Sequence, residues 1–327
     1  MMPQATVPLT LRDFEPADYE RLVEVNNANY PDYPNSVEEV RYWDSLFDSP
    51  KYHYKRYACL DQSSGKILGF GRVNHAMWNF HQQKFSVGVM VDPAHQGKGI
   101  GAMIYTDLAE KLKALHAVTA WAEVKEDMPR WIAFANNRGF SEKRRAWESR
   151  LNPSEVDVSR FQEYSDEASS SGIRIASLDE RRAESPDTLR KLYELVQETM
   201  TDVPMPVPYT RVSYEQWEST EMKNPSMIPE AYFIASDGSR FVGLTSLFRL
   251  DKEPRSLFQA LTSVTRDCRG RGIAMALKLK GIEYARKNNY DRIKTMNDSD
   301  NAPMLAVNNK LGFKRRVGWI TMEKNLS

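Results

Sequence analysis

The chain has 327 residues, of which 41% are hydrophobic and 27% are charged, and its formal net charge is +1 at pH 7. This length allows two domains that each bury a core, and the near-neutral charge gives no case for a nucleic-acid or acidic-membrane partner. Because the chain also lacks a signal-peptide pattern and an apolar membrane span, we expect a cytoplasmic monomer or homodimer acting on a small molecule.

Hydrophobic periodicity predicts the same order of elements in each half of the chain. In the first half we expect strands at 7–11, 53–60, 67–73, 85–91, 118–122 and 147–151, and helices at 16–28, 37–47, 102–115 and 129–137. In the second half we expect strands at 173–177, 232–235, 241–248, 257–264, 292–296 and 319–322, and helices at 188–200, 214–222, 275–287 and 303–310. Strands gathered early with helices between them predict an α/β (α+β) fold with a mixed sheet in each half.

Cysteine and histidine give no metal or disulfide signal. Cys59 and Cys268 are too few for a disulfide framework or a thiolate metal site, so we expect both to be reduced. The five histidines all lie in the first half, without the close spacing of a zinc-binding helix. We therefore predict no metal site.

Two segments repeat at a fixed spacing. The run QGKGIG at 96–101 matches RGRGIA at 269–274, and RGF at 138–140 matches LGF at 311–313, each pair 173 positions apart. A constant spacing indicates a duplicated domain. We place the domains at 1–151 and 173–327 and interpret 152–172, which is rich in Ser, Asp and Glu, as a linker.

Each repeated loop follows an apolar strand and opens a helix, so backbone N–H groups and the positive end of the helix meet at one point. Such a point binds an anion, and glycines let a phosphate reach the amides. The basic side chains add positive charge. The predicted binding residues are Gln96, Gly97, Lys98, Gly99, Ile100, Gly101 and Ala102 in the first copy and Arg269, Gly270, Arg271, Gly272, Ile273 and Ala274 in the second.

The two copies of the loop together indicate which kind of phosphate ligand is expected. The first copy alone also fits a dinucleotide fingerprint, with Glu123 lying 24 residues past Gly99. In the second copy Met275 stands where that fingerprint needs a small residue, and no acidic residue ends the predicted strand at Met296. Neither copy has the Lys-Ser/Thr pair of a nucleoside-triphosphate loop. Both alternatives are therefore disfavoured.

The pattern Gln/Arg-x-x-Gly-x-Gly/Ala after a strand, with a later Gly-Phe pair, resembles the coenzyme A signature of GNAT acetyltransferases. The second half is similar to tandem GNAT proteins at 269–279, 295–297, 301–304 and 308–313. The resemblance covers nearly the whole chain and is most specific at 87–140 and 257–323. It implies two tandem GNAT-like domains, each a splayed mixed β-sheet flanked by helices, with acetyl-CoA as the cofactor.

In this resemblance the acyl-thioester arm of coenzyme A lies in the splay of each sheet, and a backbone amide there would stabilise the oxyanion. The implied coenzyme contacts outside the loops are Val89, Met90, Val91, Thr262, Ser263, Val264, Asn301 and Asn308. The family resemblance favours the second copy as the active domain, whereas the three loop glycines of the first copy favour phosphate binding there.

The resemblance implies direct attack of a small amine on the thioester, which needs a base and an acid. The chain departs from the family at the acid, because Ala135 and Asn308 occupy the positions of the usual Tyr. Glu123 and Asn308 are the candidate catalytic residues, and Tyr30, Tyr33 and Tyr209 are candidates for the acceptor pocket. A catalytically silent coenzyme A-binding sensor or structural protein stays open as the alternative.

Overall fold

The computed structural model describes residues 8–47, 49–205 and 207–326, so Val7 of the first predicted strand lies outside the described residues. The elements of the first half are β1 (Leu9–Asp13), α1 (Tyr19–Asn29), α2 (Val37–Ser45), β2 (Tyr54–Asp61), β3 (Ile67–Asn74), β4 (Lys84–Val91), α3 (Ile100–Ala114), β5 (Thr119–Lys125), α4 (Pro129–Asn136) and β6 (Ser141–Leu151). Each predicted element of this half is present in the predicted order.

The second half repeats this order with extra helices. Its elements are α5 (Gln162–Ser170), β7 (Ile173–Ser177), α6 (Leu178–Glu184), α7 (Thr188–Met200), α8 (Tyr214–Trp217), β8 (Met227–Asp237), β9 (Arg240–Arg249), β10 (Ser256–Val264), α9 (Ile273–Lys287), β11 (Arg292–Asp298), α10 (Ala302–Leu311) and β12 (Lys314–Asn325). A π-helix over Glu218–Met222 extends α8. Helices α5 and α6 were not predicted.

The strand β11 ends two residues later than the sequence pattern predicts. The strand runs past Met296 to Asp298, so an acidic residue does end it. Its carboxylate is buried and accepts a hydrogen bond of 2.7 Å from Nε of Arg144. Because Asp298 is held in this ion pair, it is not placed as a free ribose-binding carboxylate, and Met275, which is buried in the core, still opposes the dinucleotide interpretation.

The chain forms two compact units whose bounds differ from those of the sequence repeat. Unit 1 comprises Met1–Val124, Met128–Lys143 and Ile320–Ser327, and unit 2 comprises Lys125–Asp127 and Arg144–Trp319. Most of β6 therefore belongs to unit 2, and the end of β12 belongs to unit 1. The repeat bounds 1–151 and 173–327 describe the duplication, while the compact units exchange their last strands.

Unit 1 has the strand order β1-β2-β3-β4-β5-β12. Helix α3 packs on this sheet through Ile104, Leu108 and Leu112, whose spacing of four puts them on one face of the helix. Ile320 and Met322 of β12 are buried in the same core. The last residues of the chain thus complete the core of the first unit.

The sheet of unit 1 splays between β4 and β5. These strands pair in parallel only over residues 84–86 and 119–121, and then separate. Unit 2 shows the same arrangement, because β10 and β11 pair in parallel over residues 256–259 and 292–295. Each unit therefore has a mixed, splayed sheet, as expected.

Unit 2 has the strand order β6-β11-β10-β9-β8-β7. The segment 152–172 lies within this unit: Phe161 and Ala168 are buried in its core, and α5 packs against α9. This segment therefore has a regular structure that its composition did not indicate. Within the described ranges, no helix is long and apolar enough to cross a membrane, and no three potential ligands group as a metal site.

Because β12 contributes to the core of unit 1, a cavity made in β12 should destabilise unit 1 rather than unit 2. Met322→Ala removes a side chain that is 1% exposed in the core of unit 1, and we expect a loss of about 2–5 kcal/mol of stability. Hydrogen exchange measured by mass spectrometry should rise in peptides of α3 and stay unchanged in peptides of α9. Leu279→Ala, a core change in unit 2, is the control and should give the reverse pattern. Faster exchange confined to α9 in Met322→Ala would contradict the strand exchange.

Candidate functional site

The first repeated loop presents backbone amides at the start of α3. Gly97 and Gly99 have φ angles of +78° and +84°, a left-handed conformation that favours glycine. Gly99 is the N-cap residue, and the first bond of the helix runs from the Met103 N–H to the Gly99 carbonyl at 3.1 Å. The preceding N–H groups of the first turn have no acceptor within the helix. Ile100 is buried, so only its backbone can reach a ligand.

The space above this loop is open and positively charged. A Cβ atom placed on Gly99 would meet no described atom within 4 Å. The ammonium group of Lys98 is exposed and contacts the Ala94 carbonyl at 3.2 Å. Helix α4 adds Arg130, whose Nη2 atom lies 3.3 Å from a Cβ atom placed on Gly97. The sequence pattern did not single out Arg130, because it lies far along the chain from the loop.

The side chain of Gln96 faces the protein rather than the open side of the loop. Its Nε2 atom donates to the Val91 carbonyl at 3.3 Å and to Oδ1 of Asn29 at 2.9 Å. Asn29, at the end of α1, also donates to the Val91 carbonyl at 3.1 Å. Gln96, predicted as a coenzyme contact, therefore ties the start of the loop to the end of β4.

The second copy repeats this arrangement with charged residues. Nε of Arg269 donates to the Val264 carbonyl at 3.0 Å, and its Nη2 atom pairs with Asp202. Asp202 stands 173 positions after Asn29, and Arg269 stands 173 positions after Gln96. The repeat spacing could have identified both pairs. The spacing of 173 that relates the two loops also relates the helix ends beside them.

Helix α5 covers the second loop at Gly272. A Cβ atom placed on Gly272, the N-cap residue of α9, would lie 2.9 Å from Cδ1 of Tyr164 and 3.4 Å from Oε2 of Glu167. Lys310 holds Tyr164 in place by a hydrogen bond to its hydroxyl. An aromatic ring and a carboxylate therefore occupy the space above Gly272, whereas the equivalent space above Gly99 is open.

The arginines of the second loop are also engaged. Arg269 pairs with Asp202, and Arg271 donates to the Ser171 carbonyl at 3.3 Å and contacts Sγ of Cys268 at 3.7 Å. Glu167 places a carboxylate beside Gly272, and this carboxylate would repel a phosphate there. The side chains of Arg269 and Arg271 are already bound to protein groups. The two copies thus share a backbone conformation and differ in their access and charge.

The splay of unit 1 presents free backbone groups. The Asp92 N–H donates to the Leu68 carbonyl at 2.9 Å, and the pairing of β3 and β4 is regular before it. Because antiparallel bonds alternate along a strand, the groups of Val87 and Val89 face β5. The pairing of Ser86 with Trp121 uses the Val87 N–H, so the N–H and C=O groups of Val89 are the ones that face the gap. These groups are placed to pair with an extended amide-containing ligand.

The equivalent strand of unit 2 is less regular. The register of β10 against β9 shifts between Gln259 and Thr262, which indicates a β-bulge. Thr262 hydrogen-bonds to Thr245 at 2.7 Å, and Ser263 donates to Thr199 at 2.9 Å. The side chains of the predicted contacts Thr262 and Ser263 are therefore bound within the protein.

Tyr30, Arg72 and Glu123 converge near the gap of unit 1. Burial raises the pKa of Tyr30 to about 12, Arg72 opposes this shift, and Glu123 adds to it. The ring of Tyr30 packs edge-on against Trp131 at 5.4 Å. Glu123 is exposed and accepts a hydrogen bond of 2.6 Å from the Thr321 hydroxyl. A carboxylate, a phenol and a guanidinium therefore lie beside the splayed strands.

Other predicted site residues have structural contacts. Asn308 is 1% exposed and donates to Oδ1 of Asn297 at 2.7 Å, while Asn301 caps α10 by accepting from the Met304 N–H at 3.3 Å. Tyr209 donates to Gln197 at 2.9 Å. The Tyr33 N–H donates to the Tyr30 carbonyl at 2.9 Å, which closes the turn after α1. Of the predicted catalytic residues, Glu123 is placed for access and Asn308 is buried.

A family model described as the acetyltransferase (GNAT) family matches residues 20–140 and 189–313. The two matches together cover more than half of the chain and fall one on each repeat. No curated protein has a sequence significantly similar to this chain.

Solved structures show the same fold over the whole chain. A tandem GNAT protein from the clavulanic acid biosynthesis pathway is 18% identical with a TM-score of 0.74, covering 98% of this chain and 99% of its own. A GCN5-related N-acetyltransferase from Sphaerobacter thermophilus is 19% identical with a TM-score of 0.68, covering 98% and 97%. A putative acetyltransferase from Pyrococcus horikoshii is 14% identical with a TM-score of 0.57, covering 100% and 92%. The tandem arrangement is therefore shared along the full length.

The ion pairs at Asp202 predict a pH-dependent contribution to the stability of unit 2. Hydrogen bonds from Arg266 and Arg269 lower the pKa of Asp202 from 3.8 to about 2. A carboxyl group with a lowered pKa stabilises the folded state above its ordinary pKa and loses that contribution as the pH falls through the folded value. We expect Asp202→Asn to destabilise unit 2 near neutral pH and to differ little from wild type near pH 2. Urea denaturation at both pH values measures this, and a constant difference would contradict the role of the ion pairs.

Proposed function

The chain belongs to the acetyltransferase (GNAT) family, and on this basis we propose that it is an acetyl-CoA-dependent N-acetyltransferase acting on a small amine. We propose unit 1 as the coenzyme-binding domain. The observation that carries this assignment is the difference above the two loops: the space over Gly99 is open, while Tyr164 and Glu167 cover Gly272. This assignment replaces the expectation, based on family resemblance, that the second copy is the active one.

The residues of unit 1 fit the parts of the coenzyme. The N–H groups at the start of α3 would receive the pyrophosphate, and Lys98 and Arg130 would balance its charge. The backbone groups of Val89 would pair with the amide-containing arm. Gln96 and Asn29 support this site indirectly, because they hold the end of β4 against the loop.

Bound acetyl-CoA supplies an activated acetyl group as a thioester. The amine nitrogen bonds to the acetyl carbon as the carbon–sulfur bond breaks, so the amine must lose a proton and the thiolate must gain one. Glu123 would accept the proton from the amine, directly or through water, because its carboxylate is exposed beside the gap. Ala135 is buried and cannot donate a proton, so water protonates the thiolate in this proposal.

The coenzyme stoichiometry tests the assignment of unit 1. We expect wild type to bind one acetyl-CoA per chain and Gly99→Glu to bind none, because the new carboxylate would repel the pyrophosphate. Gly270→Glu is the matched control, since Gly270 also has a positive φ and no described atom within 4 Å of a Cβ atom. Both substitutions cost about 1–2 kcal/mol of backbone strain, so stability does not separate them.

Isothermal titration calorimetry gives the number of sites for each variant, with circular dichroism as the check on folding. One site in wild type and Gly270→Glu, together with none in Gly99→Glu, supports the assignment. Two sites in wild type, or binding that survives Gly99→Glu and is lost in Gly270→Glu, would overturn it.

Glu123 is tested by turnover. We expect Glu123→Gln to lower kcat by about a hundredfold, which is typical of losing a general base, while acetyl-CoA affinity is retained. Release of the coenzyme thiol in the presence of an amine panel measures the rate, and mass spectrometry identifies the acetylated amine. Full activity of the variant would remove Glu123 from the mechanism. Tight coenzyme binding without transfer to any amine would instead support a silent coenzyme-binding protein.

A further inference from the structure

Arg72 lies on β3 next to the splayed strand of unit 1. Its partner across the ladder is Gly88 of β4, and a Cβ atom placed on Gly88 would lie 3.8 Å from Cβ and 3.9 Å from Nε of Arg72. The missing side chain at Gly88 leaves room for the arginine to lie over β4. The Arg72 side chain therefore lies against β4 at Gly88, next to Val89, whose backbone groups face the gap.

The carboxylate nearest this region is already used. Asp44 accepts two hydrogen bonds from Arg56, at 2.9 and 2.8 Å, and this pair is largely buried. Asp44 also accepts from the hydroxyl of Tyr19 at 3.1 Å and from that of Tyr54. One carboxylate thus serves one guanidinium and two phenols, which leaves it little capacity for a second arginine.

Arg72 has a buried hydrogen-bond donor that the described residues do not satisfy. Its Nε atom is buried and has no hydrogen-bond partner within the described ranges, and its side-chain hydrogen bond goes to the uncharged Tyr54. Burial and the charge of Arg56 lower the pKa of Arg72, yet an arginine stays protonated in proteins. A buried guanidinium N–H without an acceptor costs free energy, and an anionic ligand would supply the missing acceptor.

Arg72 and Glu123 lie on the same face of the sheet beside the gap. Arg72 pairs with Gly88, and Gly88 and Glu123 each stand two residues past the paired positions Ser86 and Trp121. Both side chains also act electrostatically on Tyr30. A molecule there would meet Arg72 on one strand and the exposed carboxylate of Glu123 on the other. A ligand with both an anionic and an amino group matches this pair of opposite charges.

We propose that the acceptor is a small amine that also carries a carboxylate, and that Arg72 binds this carboxylate while the amine faces Glu123 and the acyl group. This inference rests on the proposed function for the identity of the reaction, and on the unsatisfied donor of Arg72 beside the gap for the acceptor. Arg72 is a specificity-determining residue in this assignment, and the bond it supplies is a charge-assisted hydrogen bond of the kind that guanidinium forms with carboxylate.

The test compares amino acids with their own carboxamides in wild type and Arg72→Gln. An amino acid and its carboxamide differ in amine reactivity, but this difference cancels when each substrate is compared between the two proteins. We expect Arg72→Gln to lower kcat/KM for the amino acids about tenfold to a hundredfold, mainly through KM, and to change it less than threefold for the carboxamides, as expected for one charged hydrogen bond.

Lys55→Gln is the matched control, because it removes the same charge from the exposed side of the neighbouring strand β2. This control should leave the ratio of the two substrate classes unchanged. Coenzyme titration of each variant checks that unit 1 is folded. Equal losses for both substrate classes in Arg72→Gln would show a structural role only and overturn the proposal, as would a wild-type enzyme with no dependence on the carboxylate.

A binding measurement separates this inference from the proposed function. Calorimetry with coenzyme A present, without the acetyl group, should show amino-acid binding to wild type and none to Arg72→Gln, whether or not transfer occurs. Carboxylate-dependent binding without turnover would refute the acetyltransferase and support the site. Turnover of carboxamides with no carboxylate-dependent binding would support the acetyltransferase and refute the proposed carboxylate site.

Discussion

The geometry of each domain depends on the last carbonyl of the strand before the loop. In unit 1 the Val91 carbonyl accepts from Asn29 and Gln96, and in unit 2 the Val264 carbonyl accepts from Arg269. A carbonyl at the edge of a splay has no neighbouring strand to pair with, so a side chain must satisfy it. The residue that does so is the first of the loop, and this bond fixes where the following amides point.

The two copies have kept this bond while their surroundings have diverged. A pair of neutral amides in unit 1 corresponds to an ion pair in unit 2, where Asp202 holds Arg269. In the loop of unit 2, Tyr164 and Glu167 of the same chain fill the space above Gly272. A protein carboxylate at the start of a helix satisfies the same dipole that an external phosphate would, so the covered loop remains stable without a ligand. The two copies therefore differ in access, with an open space above Gly99 and a filled space above Gly272.

Much of the fold follows from local patterns, and most of the site does not. The spacing of Ile104, Leu108 and Leu112 marks α3, and the repeat of the glycine loops marks the left-handed turns that open α3 and α9. Helix α5 was missed because its sequence, QEYSDEASS, is polar and its few packing residues have no clear period. Arg72 and Arg130 were missed for another reason. Their importance comes from which partners they have or lack, and only the assembled sheet determines that.

Because the units exchange their last strands, unit 1 is completed only after the end of the chain has been made. Unit 1 contains most of the early chain, yet its sheet includes the end of β12 and its core includes Ile320 and Met322. While the chain is being made, the open loop would belong to a sheet with one strand missing, with the pocket for Ile320 and Met322 unfilled. A ribosome that stops early would therefore release a chain with every loop residue and no finished site.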